Sequence, residues 1–278
     1  MFTGRNLVIA TMHGKEKVIA PILEKELGVI CFVPNDFNSD ILGTFSGEIE
    51  RKNDPIATAI EKCKLAMELS NCDLGIASEG SFGNHPSAFF ASANDEFLVF
   101  IDKKNELEII ARNLSLETNF AAEKISNLID LKSFADKVQF PSHRIILKDK
   151  EQNPTKIYKD IDNWNSLESA FLKLLKIQAV VCVETDMRAM NNPTRMKVIE
   201  EATVKLVEKI KSVCPKCGIP GFEVSTLIAG LPCENCNRPT RSAKMHLYKC
   251  KKCTFEQEIE IPSHKKYEDP MYCDFCNP

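Results

Sequence analysis

Apolar positions recur in two rhythms along this chain. Short runs of β-formers at Asn6–Thr11, Val29–Val33, Cys72–Ala77, His143–Lys148 and Gln178–Val183 predict strands buried on at least one face. Phe97–Asp102 and Glu106–Ala111 alternate around Lys103–Asn105, the pattern of a hairpin. Between these runs the spacing lengthens to three and four. Val18, Ile19, Ile22, Leu23 and Leu27 share one helical face, with Pro21 an awkward member. Ile56, Ile60, Cys63 and Met67 repeat in the same way behind Asp54-Pro55, an N-cap followed by a proline at the first helical position. Thr118–Asp130, extended by Leu131–Val138, and Ser166–Lys176 also read as helices. Asn192-Pro193 opens a long one, with Met196, Ile199, Thr203, Leu206, Ile210 and Val213 on one face, running directly into Cys214. Asn35–Lys52 reads as a long loop with room for a short strand, the stretch SEGSFGNHP as a loop, and Glu151–Asp162 as a loop or edge strand. Alternating strands and helices predict an α/β domain over residues 1–212. Its sheet is mixed or parallel and flanked by helices.

The remainder, residues 213–278, follows a different rule. Eight of the twelve cysteines fall there as four CxxC pairs: Cys214/Cys217, Cys233/Cys236, Cys250/Cys253 and Cys273/Cys276. Cys31, Cys63, Cys72 and Cys182 lie in apolar or helical contexts and read as small buried hydrophobes. Two intervening residues let both thiolates of a pair reach one tetrahedral ion, so the tail is expected to be a double zinc ribbon with two structural zinc ions. Sequential pairing gives two stacked ribbons; first with third and second with fourth is equally legal by count.

Composition narrows the function. The 278 residues are 44% hydrophobic and 27% charged, with a net charge of −3, which suits a globular protein and not a general polyanion binder. No apolar run approaches the roughly eighteen residues of a membrane span, and the opening MFTGRNLVIATMHGKEK meets charge too early for a signal peptide. A cytoplasmic protein is therefore expected. From Ser212 onward nine Lys or Arg face eight Asp or Glu, and each zinc with four thiolates adds about −2. That balance disfavours DNA as the tail's partner. Arg238, Arg241, Lys244, Lys249, Lys251 and Lys252 remain as a local basic patch, and capping or dimerisation is the other use of such a module.

Candidate chemistry lies where strands end. The stretch VVCVETDMRAMNNPTR puts Glu184 and Asp186 at a strand end, with Arg188 and Arg195 beside a helix start. Open α/β sheets bind ligands at the carboxyl ends of their strands, and helix N-termini attract anions. His13 and Lys15 follow the first strand; Glu79 and His85 follow the third. In a parallel sheet these loops would open at one edge. Lys15, Arg188 and Arg195 suit phosphate, with His13, Arg51 and His85 as further ligand contacts. Glu48, Glu79 and Asp186 offer hard oxygens to Mg²⁺. Glu79 or Glu184 would orient water. The plainer alternatives are a salt-bridged strand–helix loop, a solvated lysine at Lys15, a Glu48–Arg51 turn pair and a turn fixed by His85-Pro86.

Two resemblances add to this. ATMHGKEKVIAPILEKELG, GTFSGEIERKNDPIATAIEKCKLAM and DLGIASEGSF resemble segments of the inosine-triphosphatase, Maf and YjjX-like nucleotide pyrophosphatases over about the first 80 residues. The resemblance implies Mg²⁺-dependent cleavage of nucleoside triphosphates, with Lys15 on phosphate and Glu48 and Glu79 on metal. His13 departs from that pattern, which has Asn there. The whole chain also resembles a bacterial family of uncharacterised proteins. That family joins an ETDMRA-x-x-NPTRM stretch, here Glu184–Met196, to CP-x-C and GLPC-x-x-C pairs, here Cys214–Cys217 and Gly230–Cys236. The expectation is a Mg²⁺-dependent phosphohydrolase or nucleotide-acting enzyme. The alternative is a non-enzymatic ligand-binding or nucleic-acid-binding zinc-ribbon protein.

Overall fold

The computed structural model describes residues 1–35, 37, 54–261 and 265–278. It divides into two compact units, Met1–Val207 and Glu208–Pro278.

The first unit opens as the periodicity predicts. β1 (Asn6–Ala10), α1 (Glu16–Leu27) and β2 (Ile30–Phe32) form a right-sized crossover, with β1 and β2 parallel. Pro21 sits inside α1 without ending it, and Gly28 closes the helix at φ 68°, a left-handed position that glycine adopts without strain. α2 (Pro55–Leu69) starts where expected: the Asp54 carboxylate accepts from the amides of Ile56 and Ala57 at 2.9 and 3.0 Å. β3 (Leu74–Asn84) then pairs parallel to β1 and antiparallel to β4 (Ser92–Asp102), which pairs with β5 (Leu107–Ser115). The sheet order is β2-β1-β3-β4-β5. α2 presses on it so closely that a Cβ on Gly75 would stand 2.6 Å from Met67 Cγ. Val8, Ala59, Cys63, Ala66, Ala77 and Val99 fill the core between them.

Three expectations need correction. Most of SEGSFGNHP is not a loop, because β3 continues through Asn84 in register with β4; the buried Ser78 and Glu79 meet Lys15 and Lys62, and His85-Pro86 keep the turn. Thr118–Asp130 is not a helix. β6 (Ala122–Ile125) occupies its middle, and α3 (Leu128–Lys137) begins only after Asn127, whose side chain accepts from the Asp130 amide at 2.9 Å. The last strand does not join the first sheet. β7 (Ile145–Lys148), β8 (Ile157–Ile161) and β9 (Val181–Thr185) form a separate antiparallel sheet of order β6-β9-β7-β8, with β8 at its edge. α3 and α4 (Trp164–Leu175) bury Leu131, Phe134, Leu167 and Phe171 against Ile145, Leu147, Val181 and Val183. The three strand-end loops therefore do not share one edge of one parallel sheet. α5 (Pro193–Lys211) follows Asn192, whose side chain caps it by accepting from the Arg195 amide at 2.9 Å.

The second unit holds a three-stranded antiparallel sheet: β10 (Glu223–Ala229), β11 (Ala243–Lys249) and β12 (Glu256–Glu260) in chain order. No helix among the described residues is long and apolar enough to cross a membrane.

Candidate functional site

Lys15 lies just beyond the carboxyl end of β1 and is 6% exposed. Its ammonium donates to the Ser78 carbonyl and hydroxyl, both at 2.9 Å. Burial pushes its pKa down to about 7; nearby Arg195 adds to the fall, while Glu96 and Glu79 oppose it. Glu79 and Glu96 sit on paired strands, but their side chains take opposite faces of the sheet, because successive side chains alternate along a strand. Glu79 meets Lys62 of α2 on one face. Glu96 accepts from Arg195 Nε at 2.6 Å on the other, and both of those side chains are fully buried. Arg195 also donates to the Met187 carbonyl and stands over the Phe82 ring, 5.1 Å from its centroid. Gly80 lies directly opposite Glu96 in the β3–β4 register. A Cβ there would fall 2.3 Å from Glu96 Oε1 and 2.7 Å from Arg195 Nη2. The glycine is what lets this ion pair lie flat on the sheet.

Three buried cations, Lys15, Lys62 and Arg195, thus lie near two buried carboxylates, Glu79 and Glu96, divided between the two faces of the β3–β4 pair. A cavity of about 310 Å³ opens between the start of α1 and the start of α5, and none of these five residues lines it. Gly14, Val18, Met190, Pro193 and Met196 form its apolar lining, with Lys17, Lys197 and Glu200 as charged members.

The other predicted residues are placed elsewhere. Asp186 is wholly buried and belongs to a separate knot. Arg188 donates to it through Nε and Nη2, the latter at 2.6 Å, and Asn191 adds a bond at 2.8 Å. Arg188 reaches on to Asp160 at 2.8 Å. This is the salt-bridged strand–helix loop, and its carboxylate is already neutralised. Glu184 lies within β9, not after it, and pairs with Lys148 at 2.6 Å; burial pushes its pKa up and Lys148 opposes that. His85 fixes a turn, its Nδ1 accepting from the amides of Ser87 and Ala88 at 3.1 Å each. The His13 amide donates to Thr11 Oγ1 at 3.2 Å. Glu48 and Arg51 lie outside the described residues.

Lys62 and Glu96 were missed, and both carried a signal. Lys62 is in phase with the apolar stripe Ala59, Cys63, Ala66 of α2. Glu96 is in phase with Leu98 and Phe100, the fully buried face of β4. A charge in register with a core marks a buried ion pair as surely as a motif does.

In the second unit the eight tail cysteines form two groups, Cys214, Cys217, Cys250, Cys253 and Cys233, Cys236, Cys273, Cys276, each able to hold a metal ion. Of the two pairings the count allowed, the structure takes the interleaved one. The reason is topological. The first pair precedes β10, the second lies between β10 and β11, the third between β11 and β12, and the fourth follows β12. Antiparallel strands carry the chain to alternate ends of the sheet, so odd pairs meet at one end and even pairs at the other. Seven residues of strand span about 24 Å, too far for adjacent pairs to share an ion. Three of the pairs turn alike: the residue four past the first cysteine has positive φ, at Gly218, Asn237 and Thr254, and its amide returns to that cysteine's carbonyl. Sulfur–sulfur distances within the groups are 3.6, 3.7, 3.7 and 3.8 Å. Disulfide sulfurs would be about 2.05 Å apart.

Residues 62–278 match the family model described as Domain of unknown function (DUF6671). No curated protein matches the chain.

Proposed function

The chain belongs to the DUF6671 family, and on that premise we propose that its α/β unit binds a phosphate-bearing small molecule, a nucleotide first among them, either to hydrolyse it or to sense it, while its tail is a zinc-ribbon module held by two structural zinc ions. The observation that supports the first part is the burial of Lys15, Lys62 and Arg195 near Glu79 and Glu96, with Lys15 just beyond the carboxyl end of β1, a strand parallel to β3. Charges removed from water in such numbers are costly unless they serve one another or a ligand. Lys15 donates to a carbonyl and a hydroxyl oxygen of Ser78, and neither carries a charge that would offset its own. An arriving phosphate would favour its charged form and draw a proton onto it.

A magnesium centre on Glu79 and Asp186 does not fit the described residues. Lys62 holds the first carboxylate, and Arg188 and Asn191 hold the second. The same observation favours the second reading, a non-enzymatic sensor of a phosphate-bearing ligand: Glu79, Glu184 and Asp186 all lie in ion pairs, so none is poised as a base.

One experiment separates the readings. The purified chain is incubated with nucleoside triphosphates with and without Mg²⁺, and phosphate and pyrophosphate release is followed alongside melting temperature. Release that Lys15→Met abolishes supports hydrolysis. A raised melting temperature without release supports the sensor. Neither effect removes both.

For the tail, sulfur donors alone and four per group suit zinc in a closed, structural site. Zn–S bonds of about 2.3 Å in a tetrahedron place sulfurs about 3.8 Å apart, close to the distances given above. Metal analysis of the purified chain is expected to return two zinc ions per molecule.

A further inference from the structure

On the α5 side of the sheet, β4 presents two polar groups that the ion pairs do not use up. Asn94 is 1% exposed, and neither its amide nitrogen nor its amide oxygen has a hydrogen-bond partner among the described residues. Glu96 is fully buried; its Oε1 is taken by Arg195, and its Oε2 has no hydrogen-bond partner among the described residues. The two residues are two apart on one strand, so they share a face. That face is turned to α5. Glu96 reaches Arg195 there, and Asn113, opposite Glu96 on β5, donates to the Val198 carbonyl at 3.1 Å. Buried polar groups are almost always bonded, and each exception asks for a cause.

The pattern of these groups selects a ligand class. One carboxylate oxygen and one amide oxygen accept, and the amide nitrogen donates twice. A phosphate offers oxygens and charge of the wrong sign to Glu96. The edge of a nucleobase offers donors and acceptors side by side, and a side-chain amide can meet both at once. Flatness points the same way. Phe82 lies opposite Asn94 on β3; its ring stacks on Phe120 with centroids 5.9 Å apart and has Arg195 over it at 5.1 Å, so flat groups already lie against one another here. Ser78, which holds Lys15, is four residues from Phe82 along β3, about 14 Å. That is the reach of a nucleotide with its base at one end and its phosphates at the other.

We propose that Asn94 and Glu96 form a nucleobase-reading subsite on the α5 face of the sheet. The inference rests on the phosphate-ligand reading above and adds to it the part of the ligand that is read. Both side chains are covered, so entry of the base requires local opening of this face.

The test uses the full chain and calorimetric titration with ATP, GTP, CTP, UTP, tripolyphosphate and ribose 5-phosphate. One nucleotide is expected to bind at least ten-fold tighter than tripolyphosphate and than the weakest of the other nucleotides. Asn94→Leu, which removes the amide at similar volume, is expected to lose that preference and keep tripolyphosphate affinity within two-fold. Asn94→Ser serves if the leucine variant does not fold. Equal affinity for all four nucleotides and tripolyphosphate overturns the base subsite and leaves the phosphate reading standing. So does a preference that survives in the folded Asn94 variant, or ribose 5-phosphate binding as tightly as the best nucleotide. Absence of binding by every probe overturns the phosphate reading and the subsite with it.

Discussion

Arg195 donates to Glu96 across 99 residues of sequence, through a 2.6 Å bond between two side chains that water does not reach. The pair ties the first turn of α5 to the middle of β4. Breaking a buried pair from one side leaves an uncompensated charge, which costs more than the pair itself contributes. We therefore expect Arg195→Met to lower unfolding free energy by about 3–5 kcal/mol in urea titrations. The double variant Arg195→Met/Glu96→Leu should recover most of that loss. A double variant as damaged as the single would mean that the arginine acts through the Met187 carbonyl and the Phe82 ring, not through Glu96.

Gly80 sits under that pair, and the space it leaves is specific. Gly80→Ala would put a methyl 2.3 Å from Glu96 Oε1, so the ion pair must shift. Overpacking of this kind costs about 1–3 kcal/mol. Gly83, on the same strand, is the control: a Cβ there meets nothing within 4 Å. Gly83→Ala should be neutral or stabilising by up to about 0.5–1 kcal/mol, since alanine loses less backbone freedom on folding. Equal midpoints for the two variants would show that the close packing around Gly80 is not stiff.

Lys15 makes the stability of the first unit depend on alkaline pH. Its folded pKa of about 7 lies below the ordinary 10.5, so the unfolded chain binds the extra proton between these values. The sign follows. The stabilising contribution is complete above pH 10.5, is lost as pH falls toward 7, and is constant below. Lys15→Met has no such proton. Urea midpoints of wild type and variant should diverge in favour of wild type from pH 7 to 10, by at most about 1.4 kcal/mol per pH unit. Parallel curves would mean that Lys15 titrates near its ordinary value.

How much of this was legible in the sequence differs from element to element. α2 and α5 were, because Asp54-Pro55 and Asn192-Pro193 are local signals that act through local hydrogen bonds. β1 and the β4–β5 hairpin were, because their periodicity is undisturbed. The extension of β3 was not. Ser78, Glu79 and Gly80 look like a loop until Lys15, Lys62 and Arg195 are placed around them, and those partners come from three different helices or their starts. Thr118–Asp130 failed for the opposite reason: a helix-like spacing was overridden by pairing of β6 to β9, more than fifty residues away. For the site, the residue types were right more often than their company. Lys15 and Arg195 do lie near Glu79 or Glu96, while Asp186 pairs with its own neighbour Arg188. Pairing partners are a tertiary fact, and spacing alone ranks them poorly.

The cysteine tail offers the sharpest contrast between pairings, because two double variants reverse their roles. If the sets are Cys214, Cys217, Cys250, Cys253 and Cys233, Cys236, Cys273, Cys276, then Cys214→Ser/Cys250→Ser strips one set and leaves the other whole. Native mass spectrometry should then show one retained metal ion. Cys214→Ser/Cys233→Ser takes one ligand from each set, so both ions should become labile to a chelator that leaves the wild-type chain loaded. Sequential pairing predicts the reverse for each variant, since Cys214 and Cys250 would then serve different ions and Cys214 and Cys233 the same one. The strands argue for the first outcome. An ion shared by the first and second pairs would have to draw together the two ends of β10, and the β10–β11 ladder holds them apart.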